Sequence, residues 1–236
     1  MKVLVIPDVH LKPDMFRRAG EILNSHQAEM SVCLMDLADD WNSQTSLALY
    51  EETYDAAIAF ANEYPDTLWC WGNHDICYDW NQRESGYSPQ AADLVREKLL
   101  ELEMAMKQPG QLTFIHRIDN VLFMHGGLSE RFVKAYVDDA ENKTMDEIID
   151  DINHMTVYEL WNDDSPLWLR PQSGKIPLYR IDEFMQVVGH TPVKQIYCHG
   201  NLVSTDVFST YSDGTNIGTC DYLIVDTVTK RLTRIR

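Results

Sequence analysis

A chain of 236 residues with 20 Lys+Arg against 37 Asp+Glu carries a formal charge of −17, and such a surface repels a nucleic-acid backbone as a non-specific partner. Its 44% hydrophobic and 24% charged residues are those of a globular protein, which excludes disorder and collagen-like repeats. The length suits one domain, 1–236, that buries roughly 70–75% of its unfolded surface and needs neither disulfides nor metals merely to fold.

Lys2–Ile6 reads as a buried strand, and Met15, Phe16, Ala19, Ile22 and Leu23 follow at helical spacing behind Pro13. Ser31–Met35 predicts a second strand, and Leu47, Tyr50, Tyr54, Ala57, Ile58 and Ala61 trace a second helical face. Thr67–Trp71 is a third strand, after which Ser88-Pro89 forms an N-cap and N1 pair for a helix through about Leu102. This β-α-β-α-β-α order predicts helices on a mainly parallel sheet. Leu112–Arg117 and Asn120–Met124 read as a hairpin around Ile118-Asp119. Thr144 and Glu147 form a capping box for a helix with Met145, Ile148, Ile149 and Ile152 on its inner face, so the acidic run from Asp138 to Asp151 is its solvated side. Short strands then dominate: Met185–Val188, Gln195–Cys198, Leu202–Val207, Tyr222–Asp226 and Leu232–Ile235. Strand-helix units followed by a strand-rich half predict two packed sheets with helices outside.

No apolar run approaches the ~18 residues of a membrane span, and the first residues are too short for a secretory h-region. The five cysteines are odd in number, scattered and without C-x-x-C, which reads as reduced core residues of a soluble, cytoplasmic protein with no membrane partner.

Ligands in α/β sheets bind beyond the carboxyl ends of strands, and there this sequence concentrates metal-type residues. The first strand ends in Asp8-Val9-His10, the second in Asp36-Leu37-Ala38-Asp39, the third in Gly72-Asn73-His74-Asp75. The strand ending at Met124 leads to His125-Gly126-Gly127, and that ending at Val188 to Gly189-His190-Thr191-Pro192. Asp-x-His and Asp-x-x-Asp carry little alone, whereas Gly-Asn-His-Asp is expected in about one chain per thousand from average residue usage. Imidazole mixed with carboxylate suits first-row ions such as Mn, Fe, Zn or Ni. A carboxylate such as Asp36 can bridge two ions ~3.5–4 Å apart, the spacing of two-metal phosphoryl-transfer sites. The other histidines, His26, His116, His154 and His199, fall outside these clusters and read as surface or packing residues.

This ordered set resembles the calcineurin-like metallophosphoesterase superfamily, and within it the PPP-type phosphoprotein phosphatases and their bacterial and phage relatives. The resemblance implies an α/β (by some schemes α+β) fold, a four-layer α/β/β/α sandwich of two mixed sheets. It implies two divalent ions, manganese first, with iron, zinc or nickel as alternatives. Asp8, His10 and Asp36 would hold one ion, and Asp36, Asn73, His125 and His190 the other. His74 would be the general acid, oriented by Asp39, and a metal-activated water the nucleophile. Arg170, in Ser165-Pro166-Leu167-Trp168-Leu169-Arg170, would clamp the substrate phosphate together with Asn73.

The sequence departs from the family pattern at four places. Pro7, Met35 and Leu11 replace glycines and are expected to shift local backbone without removing a ligand. Asp40 replaces a phosphate-contacting arginine, which opposes a dianion. The leading expectation is a hydrolase of phosphate monoesters on a phosphoprotein, nucleotide or small metabolite. A phosphodiesterase or dinucleoside polyphosphate hydrolase is second, and a metal-binding scaffold without catalysis third. The loop Ile76–Tyr87 and the segment Trp161–Lys175 are expected to set specificity, with Trp80, Arg83, Trp161 and Trp168 either lining a pocket or packing beneath long loops.

Overall fold

A computed structural model describes residues 1–236, the side chain of Ser173 excepted. In the first sheet, β1 (Lys2–Ile6), β2 (Met30–Cys33), β3 (Leu68–Cys70) and β4 (Leu112–Thr113) run parallel in that order. Two late strands, β10 (Tyr222–Asp226) and β11 (Leu232–Ile235), add antiparallel on the free side of β1. The second sheet contains β5 (Ile115–Ile118), β6 (Val121–Met124), β7 (Met185–Val188), β8 (Tyr197–His199) and β9 (Leu202–Ser204). Its order is β5-β6-β7-β9-β8, with β6-β7 and β7-β9 parallel and both outer pairs antiparallel.

The two sheets face each other through β6. Side chains alternate across a strand, so Val121 and Phe123 join the core of the first sheet. Leu122 and Met124 join a second core on the opposite face. Covered on both sides, β6 is buried throughout, and its sequence is accordingly an unbroken apolar run. Helices α1 (Asp14–Asn24), α2 (Leu47–Glu63) and α4 (Ala92–Ala105) close the outer side of the first sheet. A short helix, α3 (Asn73–Asp79), starts at the carboxyl end of β3. The second sheet is covered by α5 (Glu130–Tyr136) and α6 (Met145–Asn153), with α7 (Val157–Leu160) following. The result is the expected sandwich of two mixed sheets between helical layers.

Where the strand over 112–117 and the start of α4 differ from the sequence-based expectation, a specific side-chain contact explains each difference. The strand expected over 112–117 is split between the sheets, with the break at Phe114. Asn153 on α6 fills the break by accepting from Phe114 N–H (3.1 Å) and Ile115 N–H (2.9 Å). The hairpin turns one residue later than expected, with Asp119 at φ +52°. Helix α4 begins at Ala92 rather than at Ser88-Pro89, because Ser88 closes a turn first: its Oγ donates to Gln44 O and accepts from Ala91 N–H. Cys33, Cys70 and Cys77 are core residues, but Cys198 is exposed on edge strand β8 and Cys220 is half-buried. Among the described residues no helix is long and apolar enough to cross a membrane.

The capping box of α6 forms as read: Thr144 Oγ1 accepts from Glu147 N–H, and Glu147 accepts from Thr144 N–H at 2.8 Å. A second box, Thr156 with Glu159, opens α7. Thr144→Ala is expected to cost about 1 kcal/mol of stability in denaturant unfolding. Since α6 lies outside the strand-end loops described next, cation binding is expected to be unchanged.

Candidate active site

The carboxyl ends of the strands turn sharply. His10, Leu11, Met35, Asp36, Asp39 and His190 all have φ between +43° and +61°, the left-handed region that costs a non-glycine residue ~1 kcal/mol or more. Leu11 and Met35 thus take up a conformation that glycine adopts more easily. Burial of both side chains in the core helps to offset the strain. Where two strand ends come closest, no side chain fits. A Cβ on Gly72 would lie 2.2 Å from Asp36 Oδ1, and one on Gly189 would lie 2.2 Å from Asp8 Oδ1.

Four buried donor atoms converge from both sheets. His125 Nε2 lies 2.9 Å from Asn73 Oδ1, 3.1 Å from Asp36 Oδ2 and 3.2 Å from His190 Nδ1. Metal–ligand bonds of ~2.0–2.2 Å would hold tetrahedral donors ~3.3–3.5 Å apart, so a modest expansion seats a cation among them. The tautomers agree with that use. His125 Nδ1–H donates to Leu34 O at 2.9 Å and His10 Nδ1–H to Asp39 O at 2.8 Å, which leaves Nε2 of each ring as the nitrogen facing inward. His10 Nε2 stands 3.7 Å from Asp36 Oδ2. Asp8 is buried and accepts from His190 N–H through both oxygens, each at 2.9 Å.

His74 stands at the first turn of α3, its N–H donating to Asp36 Oδ1 at 2.9 Å and its Nδ1 3.0 Å from Asp39 Oδ2. The other Asp39 oxygen accepts from Tyr50 (2.5 Å) and Tyr78 (2.6 Å). Two phenols on Oδ1 therefore aim Oδ2 at the imidazole and leave Nε2 as the nitrogen able to deliver a proton. Burial and the adjoining Asp39 push both phenols up, so they remain donors.

Several residues that hold this arrangement were not singled out from the sequence. Asp75 accepts from Leu37 N–H (3.0 Å), Ala38 N–H (3.3 Å) and Tyr54 Oη–H (2.8 Å), tying the Asp36–Asp39 loop to α3. Its place inside Gly72-Asn73-His74-Asp75 was the available signal. Asp206, held by Ser209 N–H (3.2 Å) and Oγ–H (2.9 Å), adds a buried acid that acts on Asp8 and His10. Asp40 does not stand as a bare negative charge. Its Oδ2 pairs with Lys12 Nζ at 2.9 Å, and its Oδ1 accepts from Thr210 Oγ1–H, also at 2.9 Å. No short sequence pattern links Lys12 to Asp40, 28 residues away.

Arg170 is exposed beside His190, donating to His190 O (2.8 Å) and Thr191 Oγ1 (3.2 Å). Trp80, Trp161 and Trp168 form an edge-on row that ends on His190, with successive centroid distances of 6.3, 5.1 and 5.9 Å. Arg83 is exposed. Of the remaining histidines, His116 packs in the core with Nε2 against Trp69 O and Gln111 O, and His26, His154 and His199 are on the surface.

The buried charges act on one another. Burial alone would raise the Asp36 pKa, but His125 and His74 beside it hold it well below the usual carboxylate range. Burial works against protonated His74 and His125 as well. The carboxylates outweigh it, raising His74 to about 10, chiefly through Asp36 and Asp39, and His125 to about 9, through Asp36 and Asp8. Burial and the charges of His125 and Arg170 push His190 down, which keeps it neutral as a ligand must be. Asp8 is raised by burial and by Asp206, and Asp75 is raised to about 7 by burial and by Asp36. A cation among these groups supplies the positive charge that the acids otherwise draw from histidine protons.

A family model described as calcineurin-like phosphoesterase matches residues 1–217. Among solved structures, the cold-active protein-tyrosine phosphatase of a psychrophilic Shewanella species is similar with a TM-score of 0.57 at 17% identity, over 100% of this chain and 80% of that one. A second structure described as a cold-active protein tyrosine phosphatase gives 0.55 at 16% identity, over 99% and 78%. A metallophosphoesterase from Sphaerobacter thermophilus gives 0.46 at 14% identity, over 100% and 88%. For the two phosphatase structures, at 17% and 16% identity, the likeness is one of fold. No curated protein sequence gives a significant match.

The charge pattern has a measurable consequence. His125 is protonated at pH 7 in the metal-free protein, and only its neutral form is a ligand, so cation binding is expected to expel a proton. Affinity for Zn²⁺ is expected to rise with pH and to flatten above about 9. Proton release into a dilute indicator buffer at pH 7, with NMR titration of the histidine Cε1–H signals, checks this. Release of no proton refutes it.

Proposed function

We propose that this chain, which belongs to the calcineurin-like phosphoesterase family, is a hydrolase of phosphate monoesters that works with two divalent ions and with His74 as its general acid. The observation that carries the reading is the meeting of Asp36, Asn73, His125 and His190 donor atoms beside His74, which Asp36 and Asp39 hold by hydrogen bonds.

In this reading Asp8, His10 and Asp36 would hold one ion, and Asp36, Asn73, His125 and His190 the second; manganese, or iron, zinc or nickel, would suit the mixed donors. Such ions, when bound, polarise a phosphoryl oxygen and acidify water to near neutral pH. The chain's own groups do the rest. Arg170, held by His190 O and Thr191 Oγ1, offers its remaining N–H groups to phosphate oxygens at the rim. His74 keeps Nδ1 on Asp39 and gives its Nε2 proton to the departing alkoxide. The Tyr50 and Tyr78 hydroxyls fix Asp39, and through it the plane of the ring. The row from Trp80 to Trp168 forms an apolar wall beside His190 against which the organic part of an ester can lie.

One observation favours a diester or a dinucleoside polyphosphate as a second reading. The amide nitrogen of Asn73 does not face open space but donates to both oxygens of Glu84, at 2.8 and 3.0 Å. With an arginine also replaced by Asp40, fewer donors await a dianion. Lys12 offsets part of that loss by neutralising Asp40.

Turnover of a mono- and diester panel, with chelator and then added Mn²⁺, tests the main reading; no turnover with any ester after metal is restored overturns it. His74→Asn is expected to keep its metal and to lower kcat by roughly 10²–10⁴ for alkyl phosphates. The loss is expected to be far smaller for p-nitrophenyl phosphate, whose leaving group hardly needs a proton. Equal losses remove His74 from the acid role. Lys12→Met exposes the Asp40 charge, so KM for a monoester dianion is expected to rise more than KM for the matched diester. Equal changes in KM place the Lys12–Asp40 pair outside the reach of the phosphate.

A further inference from the structure

The segment that follows α3 returns to lie against the strand-end loops. Tyr87 stacks on Tyr78 with ring centroids 4.4 Å apart, and Ser88 N–H donates to Tyr78 Oη at 2.8 Å. Gly86, at φ +91°, passes so close to His74 that a Cβ would lie 3.1 Å from its Cε1. This path carries Glu84 inward until only 9% of its side chain is exposed. Both of its carboxylate oxygens then accept from Asn73 Nδ2. Oε1 also lies 3.7 Å from His74 Nδ1, farther than Asp39 Oδ2 at 3.0 Å.

The chemistry of the amide gives this contact a role. The two faces of an asparagine head group are alike in shape but opposite in function, one accepting and one donating. Cation binding at Asn73 requires the oxygen to face the donors of His125, His190 and Asp36. Nothing in the shape of the amide ensures that. A carboxylate only accepts, so Glu84 tolerates the nitrogen and rejects the oxygen. A flipped amide would set its oxygen against the two of Glu84 on one side and present N–H groups to the donor cluster on the other. Removing a carboxylate from water is costly. A neutral acceptor would satisfy Asn73 at a lower desolvation cost, but a carboxylate is the group that enforces a single orientation.

We propose that Glu84 is a positioning residue that fixes the Asn73 amide with its oxygen toward the His125–His190–Asp36 donors, acting on cation binding through Asn73 and without touching substrate. The proposal rests on the metal-binding part of the function proposed above, and its test reads metal rather than turnover.

Mn²⁺ affinity of the metal-free protein is measured by chelator competition, with no ester present. Glu84→Ala and the shape-conserving Glu84→Met are expected to weaken Mn²⁺ binding 10–100-fold, the usual effect of losing a partner that orients a ligand. Glu84→Gln, whose Oε1 can still accept from Nδ2 but whose Nε2–H₂ can equally donate to a flipped Oδ1, is expected to regain only part of that loss. Because Glu84 acts through Asn73, Asn73→Ala and the double variant Asn73→Ala/Glu84→Ala are expected to bind Mn²⁺ alike. Thermal unfolding of the metal-free forms identifies any variant that has lost its fold, and Met and Gln carry the comparison if Ala does so. Unchanged affinity in folded Glu84→Ala and Glu84→Met overturns the proposal. So does an additive loss in the double variant. Wild-type protein that binds no Mn²⁺ overturns the metal reading instead.

Discussion

One buried carboxylate, that of Asp36, organises the strand-end loops. Its Oδ1 accepts the backbone N–H of His74, which sets the first turn of α3, and its Oδ2 faces His125 across the gap between the sheets and His10 within its own sheet. Such a group is tolerated in the interior only with compensating charge or hydrogen bonds, and here it has both. The requirement extends outward: position 72 has no room for a Cβ, the Asp36 backbone is left-handed, and Asp75 caps the next two amides.

The site belongs to neither sheet alone. Asp8, Asp36 and Asn73 lie at strand ends of the first sheet, and His125 and His190 at those of the second. Contacts such as His190 N–H to Asp8 and His125 Nδ1–H to Leu34 O hold the two halves together. Core packing across Val121 and Phe123 therefore does two jobs, burying apolar area and setting the spacing of the donor atoms. The left-handed residues add strain, and the buried Leu11 and Met35 show how packing offsets it where glycine is absent.

Charge follows the same economy. A molecule at −17 gathers more acid around its centre, and in the metal-free protein histidine protons balance it. At the rim the balance is supplied by Lys12 on Asp40 and by Arg170, both held by backbone carbonyls near the site. The acidic surface and the cation-seeking centre are thus separate features, and the first says little about the second.

Much of this was legible in residue order alone. Apolar runs of strand length followed by Asp, His and Asn predicted the sheet, the carboxyl-end location and the donor residues, because strand burial and ligand chemistry both act on local residue type. The capping box of α6 and its inner face were readable for the same reason, their interactions lying within a few residues. What only the tertiary structure decided involves partners far apart in the chain. The split at Phe114 depends on Asn153, the state of Asp40 on Lys12 and Thr210, and the aim of His74 on hydroxyls from Tyr50 and Tyr78. The orientation of Asn73 depends on Glu84, a residue with no distinguishing pattern in a loop noted only for Trp80 and Arg83. Residue type determines what a side chain can accept or donate, and packing determines which group it meets.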